Sequence, residues 1–130
     1  MRRLRDASSR GSAAVEFALV LPLVFGVTLG LVQVGVLARD RALVEAAARA
    51  GARAAAVEPD EGAIRSAATA AAPGLDASSL ALGIQRAGTR GDPVTVTVRY
   101  DDPIRIPFIG RLVGSSVQFD ASAIMRQEFG

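Results

Sequence analysis

The chain has 130 residues, half of them hydrophobic but only 5% aromatic, so its apolar character comes mainly from Ala, Val and Leu. That length holds one small domain, or one small domain and a membrane segment. Cys and His are absent, and all 15 basic residues are Arg, which removes disulfides, thiolate metal sites, imidazole bases and imine-forming amines.

The net charge is +2, and Arg2, Arg3, Arg5 and Arg10 against Asp6 place +3 in the first ten residues, leaving −1 for the rest. A nearly neutral body with a basic tip lacks the broad basic face of a nucleic-acid binder. Between Arg10 and Arg39 the one ionisable residue is Glu16. From Phe17 to Ala38 the sequence reads FALVLPLVFGVTLGLVQVGVLA, with no charge. About 22 such residues form a helix of roughly 33 Å, enough to cross a hydrocarbon core of ~30 Å. Pro22, Gly26, Gly30 and Gly35 weaken a helix in water but are tolerated in lipid. A small domain has too little other chain to bury this run on every side. The expectation is a transmembrane helix over residues 12–38.

Four Arg precede the span, whereas Arg39-Asp40-Arg41 after it nets +1. The positive-inside bias therefore holds the N-terminus in the cytoplasm and sends residues 39–130 outward. A secreted alternative has its signal cleaved after Ala38, since Val36-Leu37-Ala38 suits signal peptidase. The apolar run is, however, longer than the ~7–15 residues of a signal-peptide core.

Residues Asp40 to Glu58 continue the helix, which is expected to run from near Ser12 to about Val57. Arg41, Glu45, Arg49 and Arg53 recur every four residues along one stripe, and Val44, Ala47, Ala48, Gly51, Ala54 and Ala55 fill the opposite one. Gly26 and Gly30 make a small-xxx-small pair in the apolar span, and Ala47, Gly51 and Ala55 continue that spacing beyond it. Both groups suit helix-on-helix packing, although an Ala-rich stretch also reflects plain helix propensity.

Glu58-Pro59 ends this helix, Asp60 caps a second over Glu61 to Ala72, and Pro73-Gly74 stops it. The period then changes to two. Leu80, Leu82 and Ile84 alternate with smaller residues, and Gly88 to Pro93 reads as a turn. Val94, Val96, Val98 and Tyr100 mark a second strand; Val117, Phe119, Ala121, Ala123 and Met125 mark a third. The fold class is α+β: a long N-terminal helix, a short helix and a small three-stranded antiparallel sheet, its apolar face covered by the stripe from Val44 to Ala55. Pro103 to Gly114 is an aliphatic loop, suited to the sheet edge, the membrane or a partner. Asp101 and Asp102 point to opposite faces of an extended strand, so they form no carboxylate dyad and read as solvated strand-end residues. No phosphate loop or calcium-loop spacing occurs. The residues point to a structural or assembly protein with no metal, cofactor, small-molecule substrate or nucleic-acid partner.

The segment Arg10-Gly11-Ser12-Ala13-Ala14-Val15-Glu16-Phe17 carries the most information. A basic leader ends in Gly; four small or aliphatic residues, one Glu, an aromatic and the apolar run follow. A Glu at the edge of a membrane helix is costly and calls for a partner. This arrangement resembles the leader of type IV prepilins, specifically the TadE-like family of the tight-adherence (Tad/Flp) pilus. The strand VTVTVRY, the stretch PFIGRLVG and the final SVQFDASAIMRQE look TadE-like in order and spacing as well. The resemblance implies a pilin-like fold and a prepilin peptidase cut between Gly11 and Ser12, with residues 1–11 as the removed leader. It further implies that Glu16, then the fifth residue, neutralises the freed amine of Ser12 on a neighbouring subunit. Phe17 stands where Tyr is frequent in Tad prepilins, keeping the aromatic and losing the hydroxyl. The implied role is a minor pilin or pseudopilin of the cytoplasmic membrane, with the peptidase, other pilus subunits and the assembly platform as partners. A single-pass anchored binding module, never assembled into a filament, is the other reading of the same residues.

Overall fold

The computed structural model describes residues 2–104 and 114–130, with side chains from Gly11 onward. The chain divides into two compact units, residues 1–35 and 36–130.

Helix α1 spans Arg2–Val57 and contains Pro22. It begins well before Ser12, where the sequence suggested its start. Residues 2–11 contain no Pro, and Gly11 costs a helix only about 1 kcal/mol relative to Ala, too little to stop one that continues on both sides. Within the first unit, every residue from Gly11 to Leu29 is exposed. Phe17, Leu19, Leu23 and Phe25 are among the large apolar side chains left bare. Such a surface is unfavourable in water at about 25 cal/mol per Å². This helix is long and apolar enough to cross a membrane.

In the second unit, Asp60 caps helix α2 (Glu61–Ala70), its carboxylate accepting from the N–H groups of Gly62 at 3.3 Å and Ala63 at 3.0 Å. The helix stops two residues short of Ala72, and the chain turns through Gly74 at φ 93°, a left-handed conformation that suits glycine. A short 3-10 turn (Ala77–Ser79) follows, capped by Asp76. The Ser78 hydroxyl and N–H donate to that carboxylate and hold it below the usual carboxylate range.

Strands β1 (Leu80–Arg86), β2 (Pro93–Pro103) and β3 (Ser116–Arg126) form an antiparallel sheet in the order β1-β2-β3. Val96 sits opposite Ile84 on one side and Ala123 on the other. The alternation read from the sequence fixes the inner face: Val94, Val96, Val98 and Tyr100 are buried. They pack with Val44, Ala47, Ala48, Ala52 and Ala55 of α1 and with Ile64 and Ala68 of α2. The outer face is polar, and its pairs lie directly across the ladder. Arg99 Nε donates to Asp120 at 2.8 Å, Thr97 and Ser122 share a bond at 3.0 Å, and Gln118 donates to Asp101 at 3.1 Å. The Asp120 carboxylate raises the Arg99 pKa further. These pairs are exposed, so each adds little to stability.

Asp101 and Asp102 do point to opposite faces, but Asp102 is not a solvated strand end. Strand β2 runs on to Pro103, and Asp102, on the inner row, is 2% exposed. The aliphatic loop expected from Pro103 to Gly114 lies mostly outside the described residues.

The C-terminal end of α1 is closed by the residue that follows it and by distant ones. Glu58 N–H donates to Ala54 C=O at 2.8 Å, and Glu128 N–H to Ala56 C=O at 2.7 Å. Arg86, from the end of β1, donates to Ala55 C=O at 2.8 Å and Glu58 C=O at 3.2 Å, and lies 5.1 Å from the centre of the Phe129 ring. A cation here satisfies otherwise orphaned carbonyls and complements the negative end of the helix dipole. Arg86→Ala is expected to lower the unfolding free energy by about 2 kcal/mol, the scale of charge-assisted hydrogen bonds. Arg86→Lys recovers only part of it, because an ammonium lacks the guanidinium fork. Denaturant unfolding of the full chain in detergent, followed by circular dichroism, measures both.

Candidate functional site

The N-terminal motif lies on one exposed stretch of α1. Gly11, Ser12, Glu16 and Phe17 all face outward. A side chain added at Gly11 would meet nothing within 4 Å, so the helix leaves this residue approachable. Ser12 and Glu16 are four residues apart, hence on one face and about 6 Å apart along the axis. Glu16 has no ion-pair partner among the described residues. Intact, the Ser12 nitrogen is a peptide amide; cutting the Gly11–Ser12 bond would turn it into an ammonium on the face that carries Glu16. The arrangement thus supplies one carboxylate in an apolar stretch, suited to an opposite charge on a second molecule.

Further along, Pro22 has no N–H to give the Ala18 carbonyl. Gly26 and Gly30 share a face, and a Cβ added at either would have nothing within 4 Å. A neighbouring helix backbone can approach closely there.

Ala47, Gly51 and Ala55 are placed differently, although their spacing continues the same pattern. All three are buried in the core of the second unit. A Cβ on Gly51 would stand 3.1 Å from Val96 Cγ1 and 3.5 Å from the Ala68 Cβ. These small residues let α1 settle on β2 and α2, and they are not on offer to a neighbouring helix. The stripe of Arg41, Glu45 and Arg49 stays outside, with Glu45 bridging Arg41 at 3.4 Å and Arg49 at 3.8 Å.

Asp40 was not singled out from the sequence, yet it is 6% exposed and paired with Arg39 at 3.0 Å. Arg39 also donates to the Pro73 carbonyl at 3.4 Å. An isolated Arg-Asp-Arg run looks solvated in a sequence, yet its middle member is buried in the fold. Among the described residues, no group of three or more His, Cys, Asp or Glu is placed to hold a metal ion.

Comparison with curated proteins and with solved structures returns no match. Residues 11–53 match the family model described as TadE-like protein. The match starts at Gly11, takes in Glu16 and the apolar run, and ends two residues beyond Gly51. The similarity to that family thus covers residues 11–53, from Gly11 to the part of α1 that packs on the sheet.

Proposed function

We propose that the protein is a minor pilin or pseudopilin that takes part in assembling a Tad/Flp-type pilus. Prepilin peptidase removes residues 1–11, the apolar span holds the subunit in the cytoplasmic membrane, and the domain beyond it stands outside the cytoplasm. The observation that carries this reading is the exposed run of Gly11, Ser12 and Glu16 at the head of an apolar helix, inside the TadE-like match. A structural role also agrees with the chemistry of a chain that has no Cys, His or Lys. The folded α+β unit favours a minor subunit, with surface for contacts that a bare helix lacks.

Processing provides the test. Co-expressed with the cognate prepilin peptidase, the wild-type chain is expected to shorten to an N-terminus at Ser12. Gly11→Leu is expected to block the cut and leave the chain in the membrane, since α1 has room for the side chain. An unchanged gel shift in the variant removes the site assignment. N-terminal sequencing separates the rival readings: Met1 marks a chain that is only anchored, and Arg39 a secreted one.

Topology is tested with single cysteines in this cysteine-free chain. Gln85→Cys, on the exposed face of β1, is expected to react with an impermeant maleimide added to cells whose outer membrane, if one is present, has been permeabilised. Ser8→Cys, placed in the uncleaved Gly11→Leu background so that it is retained, is expected to stay unlabelled. The reverse pattern inverts the orientation.

A further inference from the structure

Two side chains in the uncharged run from Phe17 to Ala38 carry hydrogen-bonding groups, Thr28 and Gln33. Their surroundings differ. The Thr28 hydroxyl donates to the Val24 carbonyl of its own helix at 2.8 Å, so it needs nothing from outside. The Gln33 carboxamide makes no hydrogen bond among the described residues. Gln33 precedes Ala38 by five residues, about 7.5 Å of helix. Side chains on a helix tilt toward its N-terminus, which carries this amide away from the nearer end of the run and toward its middle. A carboxamide holds two N–H donors and an acceptor oxygen, and in hydrocarbon no water takes the place of their partners.

We propose that Gln33 pairs with Gln33 of a second copy of this chain, side by side in the bilayer, so that the two carboxamides satisfy each other. The inference rests on the reading that residues 12–38 span a membrane. Copies of one sequence insert with one topology, so their helices run parallel and equal positions stand at equal depth. An amide is donor and acceptor at once, and two of them exchange two hydrogen bonds. An apolar helix offers neither group, and a charged side chain at that depth is itself costly. The amide therefore selects a neutral donor and acceptor at its own depth, which a second copy supplies.

The backbone permits the approach. At about 100° per residue, Gly26, Gly30 and Gln33 fall within an arc of about 60° on one side of the helix. Gln33 follows Gly30 by three residues, about 4.5 Å along the axis. A Cβ added at Gly26 or Gly30 would meet nothing within 4 Å, so this side is open at both glycines. With no Cβ there, two parallel backbones come close enough for carboxamides less than one turn further on to meet. The contact uses residues of the first compact unit alone. Each helix gives the same face, so the pair is isologous and closes at two copies. It therefore describes the subunit held in the membrane, not a repeat along a filament.

Two differently tagged full-length chains, both carrying Gly11→Leu so that they stay uncleaved, test the pairing. One tag is captured from membranes in mild detergent, and the second is expected in the eluate. Gln33→Leu in both chains is expected to cut its recovery about tenfold, equivalent to ~1.4 kcal/mol, on the scale of a polar contact between helices in lipid. Leucine makes the span more apolar, so the variant is expected to resist carbonate extraction as the parent does. Gln33→Asn, which keeps a shorter carboxamide, is expected to restore part of the capture.

Single cysteines read which side of the helix is paired. Leu23 lies on the side of Gly26, Gly30 and Gln33, and Leu21 about 160° from the middle of that side; both are exposed. Under a membrane-permeant oxidant, the disulfide dimer from Leu23→Cys is expected to exceed that from Leu21→Cys about tenfold, because pairing raises the local concentration of facing thiols. Capture unchanged by Gln33→Leu, equal disulfide yields at the two positions, or capture of other membrane proteins with no second copy overturns the proposal. A chain washed from the membrane by carbonate overturns the membrane reading and the pairing with it. Retained capture in a processed chain that never joins a pilus counts against the proposed function alone; pilus assembly by a chain that shows no capture counts against the pairing alone.

Discussion

Glu16→Ala is expected to leave the subunit cleaved and resident in the membrane but to abolish its co-purification with the pilus and its other minor subunits. Glu16 is exposed, unpaired among the described residues, and flanked by an apolar helix face. In an isolated subunit its carboxylate is a cost, so the alanine variant should insert at least as well as wild type. In an assembly, a buried carboxylate that neutralises a neighbour's Ser12 amine leaves that cation stranded when removed. Breaking one partner of such a pair costs about 3–5 kcal/mol, a factor of roughly one hundred to a few thousand at ~1.4 kcal/mol per tenfold. Glu16→Asp should be partly defective, since the carboxylate retracts by about 1.5 Å. The measurement is pull-down of tagged subunits from a strain lacking the wild-type copy. Normal assembly of Glu16→Ala there would reduce Glu16 to an interfacial residue and sink the ion-pair role.

The second large effect is expected at Gly51, and it is a folding effect. The Cβ of an alanine at this position already reaches 3.1 Å from Val96 Cγ1. Gly51→Ala gains about 1 kcal/mol of helix propensity against that contact, so a net change of under ~1 kcal/mol is expected. Gly51→Leu drives three further carbons into the space held by Val96, Ala68 and Leu82. Overpacking of this sort costs about 1–3 kcal/mol and occasionally more. Here the floor is a sheet and the side wall a second helix, so a loss of about 3 kcal/mol is expected, a large share of a stability of ~5–15 kcal/mol. Unfolding of the full chain in detergent gives both values. If Gly51→Leu instead left stability unchanged and weakened only association with other subunits, Gly51 would belong to an interface and not to this core.

Much of the local architecture follows from the sequence alone. The uncharged run from Phe17 to Ala38 dictates an apolar helix because no alternation or breaker cluster offers another way to satisfy its backbone. Glu58-Pro59, the Asp60 cap and the period-two runs around Val96 and Phe119 mark the second helix and the strands, since each signal acts within a few residues. The motif from Gly11 to Phe17 and the TadE-like resemblance are likewise properties of order and spacing, and the family match begins at that same glycine.

Tertiary structure decided what spacing leaves ambiguous. Small residues at intervals of four look alike at Gly26, Gly30, Ala47, Gly51 and Ala55, but whether such a stripe faces lipid, another helix or the chain's own sheet depends on what folds back onto it. Beyond Val36 the sheet and α2 do so and bury the last three; Gly26 lies exposed. Asp40 and Asp102 are buried although each stands in a charged run that reads as solvated. Arg86 reads as the polar end of a strand, and only the approach of β1 to the end of α1 makes it the cap for carbonyls some thirty residues earlier. The division follows the range of the forces: capping, periodicity and helix propensity act within a turn or two, whereas burial and capping at a distance exist only once loop closure has brought remote segments together.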